Sequence, residues 1–303
     1  VQLGANLGLI VLVVLWGSQI PIMSDLLHRW DPYAINAIRF PISAGLLLVL
    51  VRLFEGRWQW PSRALVARLV ILGLAITIFA TLYILGLSML NPVTAAVFGS
   101  AQPVVAAIVG WAAYRTRLER VVIPAILAAL IGGILASVRL RDMSWPGLNV
   151  GALFVVAATA AWSWYSLTAQ RWLTGLSQLR ISAFSIAAAS PPMAAVWLAF
   201  GAFGLSTLHL PVLVPRDTAL LFWVTVGGGG CGILLWNFGV RHVGVVTAAM
   251  FLNLMPGAAI LTAMGFGIEP SLEQLAGTLL VTGGILYAQL STRRRLGPDA
   301  ARR

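Results

Sequence analysis

Apolar residues run along this chain in long blocks, each broken after about 20 positions by Pro, Gly or a cluster of charges. A helix that crosses a bilayer needs roughly 20 mostly apolar residues. Cutting at the breaks predicts ten such helices, at about 4–26, 33–54, 66–89, 92–114, 119–139, 146–171, 179–204, 216–240, 244–267 and 271–291. Asn91-Pro92 and the short corner around His242 join neighbouring spans with almost no loop, and no stretch leaves room for a soluble domain. The first run, Leu3 to Leu26, exceeds the core of a signal peptide, about 7–15 residues, and reads as a true first helix. The chain opens on Val1 rather than Met, which points to a few residues ahead of it.

Charge then orients the spans. All 20 basic residues are Arg, and Lys is absent. Fifteen fall on one side of the predicted membrane: Arg52, Arg57, Arg63, Arg68, Arg115, Arg117, Arg120, Arg171, Arg180, Arg241 and the five of the C-terminal tail. Four, Arg29, Arg139, Arg141 and Arg216, fall on the other, and Arg39 lies within the second span. Cytoplasmic loops carry the positive excess, so both termini are expected in the cytoplasm. Trp30, Trp58, Trp60, Trp145 and Trp172 sit at span ends and read as interfacial anchors.

Composition agrees with the pattern and removes several functions. Hydrophobic residues make up 59% of the chain and charged ones 10%, against about half and a quarter in a soluble domain. Such a chain needs the bilayer as solvent. The net charge of +11 would suggest a nucleic-acid partner in a soluble protein; here the Arg residues lie between apolar runs, and none is expected. Without Lys there is no P-loop and hence no nucleotide of that kind, nor a retinal Schiff base. The single Cys231 allows no intrachain disulfide. No Asp, Glu or His falls near the middle of any span, and His28, His209 and His242 are placed in loops. That argues against a proton relay, a buried acid for cationic drugs and an intramembrane hydrolase. Neither a metal site nor a cofactor is expected.

The chain also repeats itself. Val93-Thr94-Ala95-Ala96-Val97-Phe98, followed by Pro103, returns as Val246-Thr247-Ala248-Ala249-Met250-Phe251, followed by Pro256. The offset of 153 also pairs Leu82-Tyr83 with Leu235-Trp236 and Gly86 with Gly239. Gly132-Gly133-Ile134-Leu135 recurs at 283–286, and Trp16 and Trp162 head matching parts of spans 1 and 6. The reading is an all-α polytopic membrane protein of two halves, residues 1–142 and 143–303. Five helices per half is an odd number, so the second half is inverted. Many secondary transporters have this architecture, with the substrate near the midplane at the repeat interface.

The ordered series Leu15-Trp16-Gly17-Ser18, Arg39-Phe40, Pro103 and Gly132-Gly133, then Trp236-Asn237, Pro256, Glu269 and Gly283-Gly284, resembles two EamA-type halves of the drug/metabolite transporter superfamily. Within it, Leu235-Trp236-Asn237-x-Gly239-x-x-His242 is most similar to the bacterial aromatic amino-acid exporters. The resemblance implies a multi-pass exporter or facilitator of amino acids and related metabolites in the bacterial inner membrane, and not an enzyme. A multidrug exporter of the same superfamily is the alternative, and a multipass enzyme or structural subunit the competing class. Two departures are visible: the acid often found after span 4 is missing from Tyr114-Arg115-Thr116-Arg117, although Glu269 keeps it after span 9. Gln102 stands before Pro103 where the nearest relatives would carry an aromatic.

Candidate binding residues follow from depth. Pro103 and Pro256 lie near the centres of spans 4 and 9, where each should free the carbonyl four residues earlier, at Gly99 and Leu252. Ser100, Gln102 and Asn253 are the polar groups beside them, suited to the charged ends of a zwitterion. Trp16, Phe79, Trp162 and Tyr165 lie within about two turns of the centre. Tyr83 lies towards the outside and its repeat mate Trp236 towards the inside. Aromatic walls hold an apolar side chain; the plainer reading is that they pack helices together. Trp164, Trp197 and Trp223 are read as structural. Arg39 sits about 10 Å into its span, where burial costs about 2.5–3.5 kcal/mol; an outward reach to Asp25 or Asp31 is the expected remedy, ahead of a role in attracting a substrate carboxylate. Gly227 to Gly230 interrupts span 8 as either a hinge or a close-packing site.

Overall fold

The computed structural model describes residues 2–56, 62–99, 101–116, 127, 131, 150–208, 213–280 and 282–283, with backbone only for residues 2, 93, 246, 247, 250 and 253. The elements among them are helices: α1 (Gln2–Leu27), α2 (Pro32–Glu55), α3 (Arg63–Ser88), α4 (Pro92–Gly99), α5 (Gln102–Tyr114), α6 (Val150–Trp172), α7 (Gln178–Ala202) and α8 (Pro215–Phe222). A π-helical segment, Trp223–Gly232, leads into α9 (Ile233–Val243). Then come α10 (Val245–Phe251), a 3₁₀ turn (Leu252–Leu254) and α11 (Met255–Gly265), and residues 272–280 are helical too. Among the described residues seven helices are long and apolar enough to cross a membrane, and Met255–Gly265 is a shorter apolar one. The predicted span 119–139 lies outside the described residues, apart from helical positions 127 and 131.

Local signals account for the helix ends. Asp31 caps α2, accepting from the backbone N–H of Tyr33 and Ala34, with Pro32 in the first turn where no donor is missed. Ser62 and Ser177 do the same for α3 and α7. Gly244, at φ 81°, turns the chain between α9 and α10. His242 belongs to the last turn of α9, not to a loop, and its ring nitrogen meets the Phe238 carbonyl.

Large apolar side chains face outward along whole helices, as with Leu3, Leu7, Ile10 and Val14 on α1 and Val66, Val70, Leu74 and Ile78 on α3. Leu9, Leu12 and Ile20 of the same α1 are buried, so this helix is apolar on both faces, as a spanning helix must be. Lipid offers no hydrophobic drive between helices, so association depends on close packing of small residues. That packing is present. A Cβ on Gly73 would meet the Ala188 backbone at 2.6 Å, one on Gly86 the Gly151 carbonyl oxygen at 2.7 Å, and one on Gly17 the Ala258 methyl at 2.6 Å.

These contacts come in reciprocal pairs. Helix α3 packs on α6 and α7, while the π segment with α9 packs on α1, and the π segment also on α2. Helix α1 packs on α11, and α5 on α6. Helix α2 packs directly on its counterpart α7, and α5 with α10 is matched by α4 with α11. Gly86 and Gly239, offset by 153, do the same work: the first lets α6 approach α3, the second lets Leu9 of α1 approach α9.

Candidate functional site

Between these helices lies a cavity of about 1000 Å³, its mouth included, with mostly apolar walls. Helix α1 contributes Trp16, Gln19, Ile20 and Met23; α2 contributes Arg39, Phe40 and Ser43; α3 contributes Ile76, Phe79, Ala80, Tyr83 and Ile84. The other side comes from Gly99 and Gln102, Thr159 and Trp162 on α6, Ile186 on α7, Gly228, Gly229 and Ile233, and Leu252 and Met255. By helical rise, Met23 and Ile84 lie about 6 Å from the ends of α1 and α3, and Arg39 about 10 Å from the start of α2. Ile186 is about 24 Å from the end of α7. The cavity therefore starts roughly one turn inside the α1–α2 end of the bundle and reaches past its middle.

Of the residues expected to bind substrate, Trp16, Phe79, Tyr83, Gln102 and Trp162 are brought to this one cavity. Trp162 is the hub: its ring lies 5.5 Å from Trp16, 4.9 Å from Phe79, 5.1 Å from Tyr165 and 6.0 Å from Trp236. Tyr165 and Trp236 are fully buried and stand behind that wall. The Trp236 indole N–H donates to Ser166 Oγ at 3.0 Å, and Asn237 Nδ2 donates to Ser182 Oγ at 2.9 Å. These bonds tie α9 to α6 and α7 in the half of the bundle away from the mouth. Ser100 and the side chain of Asn253 lie outside the described residues.

The prolines work differently from mid-helix kinks. Pro103 and Pro256 each sit in the first turn of a new helix, α5 and α11, where a missing N–H costs nothing. The Leu252 carbonyl is not freed, because the 3₁₀ turn gives it the Met255 N–H. Both Gly99 and Leu252 do border the cavity.

The four glycines of span 8 serve close packing within an unusual backbone. Runs of π-helix are rare and often lie at functional sites. Here the widened turn offers carbonyls sideways: Gly228 O accepts from the Trp16 indole at 2.9 Å, and Thr225 O from Ser43 Oγ at 2.8 Å. A Cβ at Gly228, Gly229 or Gly232 would collide with Gln19, Ser43 or Trp16. Side chains of α1 and α2 thus lie directly against bare backbone. Gln19 and Ser43 were passed over in the sequence, although each is a polar residue well inside an apolar run, a signal that could have found them.

Two sequence expectations are corrected. Arg39 does not reach Asp25 or Asp31. Asp25 is taken by Arg29 at 2.8 Å and Arg216 at 3.0 Å, and Asp31 caps α2 while accepting from Ser206 Oγ and the Thr207 N–H. Trp30 is no lipid anchor. It is buried and donates to Asp217 at 3.0 Å, where Arg29 also binds. The hydrogen bonds of Asp217 and Asp25 raise the Arg29 guanidinium further above its ordinary value, so it stays charged at any working pH. Trp172, by contrast, is half-buried against Trp164, and Trp197 and Trp223 make structural hydrogen bonds to Thr207 O and Ser18 Oγ. Trp58, Trp60 and Trp145 lie outside the described residues.

Comparison with known proteins points the same way. The chain is 22% identical over 86% of its length to the uncharacterized transporter YyaM of Bacillus subtilis, covering 85% of that protein. It is 21% identical over 92% to YrdR of the same organism, covering 89% of it, and 26% identical over 68% to an uncharacterized transporter of Archaeoglobus fulgidus, covering 57% of it. One solved crystal structure superposes with a TM-score of 0.69 at 19% identity, over 97% of this chain and 99% of the other, a likeness of fold. The EamA-like transporter family matches twice, at residues 3–138 and 149–289. With spans of membrane length on both sides of a central cavity, this multi-pass membrane protein belongs to the EamA-like transporter family.

Proposed function

We propose that this chain carries amino acids, aromatic and other amphipathic ones, and related small metabolites out of the bacterial cell by alternating access. In this reading ten helices form two inverted five-helix halves, residues 1–142 and 143–303, with both termini in the cytoplasm. The observation that carries it is a cavity walled by Trp16, Phe79, Tyr83 and Trp162, open at one end and sealed at the other by Trp236 and Tyr165. The reciprocal helix contacts support the inverted halves, and the Arg asymmetry makes the open end the periplasmic one. Gln102, with Ser100 and Asn253, would meet the polar end of the substrate. Pro103 and Pro256 hold the helix breaks beside it. A multidrug exporter for cations gains no support, because among the described residues no Asp or Glu lines the cavity.

Among the described residues no side chain that titrates between pH 5 and 8 lines the cavity, which supports transport driven by the substrate gradient. Purified protein in liposomes should move labelled amino acids after the pH gradient and membrane potential are collapsed, and faster with substrate on the opposite side. Accumulation lost on adding a protonophore would overturn this. A reporter fused after residue 303 should read as cytoplasmic.

A further inference from the structure

We infer that Arg39 is the anchor for the substrate's carboxylate, and that the cavity selects for that group alone. Small aryl or alkyl monocarboxylates then enter it whether or not they carry an ammonium group. This rests on the transport reading above and narrows its substrate class.

The charge balance of the cavity is one-sided. Arg39 lines it deep within α2, and no salt bridge or hydrogen bond to its guanidinium is found among the described residues. Its Nε is buried without a partner, and its one ring contact is its chain neighbour Phe40, at 5.1 Å. Every described acid lies elsewhere. Asp25 and Asp217 hold Arg29, Asp31 caps α2, Glu55 pairs with Arg180 at 2.6 Å, and Glu269 and Glu273 follow α11 away from the lining. A cation held among apolar walls without a counter-charge is costly, and an incoming carboxylate supplies that counter-charge through a paired-donor fork.

The neighbouring polar atoms extend the same preference. Gln102 Nε2 and Trp162 Nε1 also line the cavity, buried and without partners. Against these three donors stands one unpartnered buried side-chain acceptor among the described lining residues, Gln19 Oε1. The backbone carbonyls of Gly228 and Thr225 are already taken by Trp16 and Ser43. An anion therefore finds three unpartnered side-chain donors among the described lining residues, while an ammonium finds one unpartnered side-chain amide oxygen and a repelling guanidinium. Phe79, Tyr83 and Met23 are left to enclose the apolar remainder of the ligand.

Titration calorimetry on the purified full chain in detergent tests this with three probes of one skeleton: L-phenylalanine, 3-phenylpropionate and 2-phenylethylamine. The two acids should bind within about threefold of each other, and the amine at least about tenfold more weakly, the loss expected of a charge-assisted hydrogen bond. Arg39→Gln should weaken both acids by about tenfold or more. Arg39→Lys, which keeps the charge but not the fork, should weaken them less and serves as the test where the Gln variant does not fold. Unchanged binding of the acids by a folded variant overturns the inference, as does an amine that binds as well as the acids. Binding of phenylalanine without phenylpropionate also overturns it but leaves amino-acid transport standing. Counterflow of amino acids by a folded Arg39→Gln variant at the wild-type rate separates the two claims in the same way.

Discussion

Tyr83 and Trp236 hold corresponding places 153 positions apart, about 8 and 10 Å from opposite ends of the bundle, yet their surroundings differ. Tyr83 lines an open cavity; Trp236 is fully buried and hydrogen-bonded to Ser166. Trp16 and Trp162 differ in the opposite sense, the first-half residue being the hydrogen-bonded one. Trp16 donates to the Gly228 carbonyl, which the π turn presents sideways, whereas the Trp162 indole N–H is buried without a partner beside a regular α3. Two halves of related sequence can thus share a set of contacts while holding their aromatic groups in different states. What differs is the backbone each half offers: ten residues of π-helix in the second, unbroken α-helix in the first.

The largest expected effect tests the two ends. Trp236→Ala removes a fully buried ring and should cost about 3–5 kcal/mol. Tyr83→Ala empties space that is already a cavity and should change ligand affinity more than stability. Thermal unfolding in detergent, read beside ligand binding, distinguishes them; equal losses of stability would break the comparison. A middle-sized effect is expected at the paired glycines. Adding a methyl at either overpacks the interface, at about 1–3 kcal/mol. Gly86→Ala should fall at the high end, because it meets the Gly151 carbonyl and the Val155 N–H, backbone that cannot move aside. Gly239→Ala meets the Leu9 side chain, which can turn, and should fall at the low end. The smallest effect separates the two indoles: Trp16→Phe should lose about 0.5–1.5 kcal/mol with its hydrogen bond. Trp162→Phe should lose less, having no bond to give up in this state; the reverse order in unfolding midpoints would mean the wrong indole was taken as satisfied.

Most of the helices were legible because a bilayer demands about 20 apolar residues in a row, a signal that needs no partner to be read. Five of the cavity residues were legible too, because aromatic and amide side chains near a span centre stand out from the apolar run, although packing helices together is their commoner use. What was not legible depended on a second helix. The Gly227 to Gly230 run announced bare backbone, but not the π turn whose carbonyls accept from Trp16 and Ser43 on other helices. Arg39 was expected to find an acid nearby in sequence, whereas Asp25 and Asp31 are claimed by Arg29, Arg216 and the cap of α2. Trp30 looked like an anchor because Asp217, which holds it, lies 187 residues away. Proline was read as a kink, and the choice between a kink and a fresh start is made by the turn before it.

Cys231 lies in the π segment, exposed, two residues beyond the backbone that borders the cavity at Gly229. It is the sole cysteine of the sequence and lies in the interior of the Pro215–Val243 span. A thiol-linked spin label or fluorophore there needs no cysteine-free background. It would watch from the lipid a stretch of backbone whose opposite side carries Gln19, Ser43 and Trp16, so movement of that wall can be followed spectroscopically without placing a probe in the binding space.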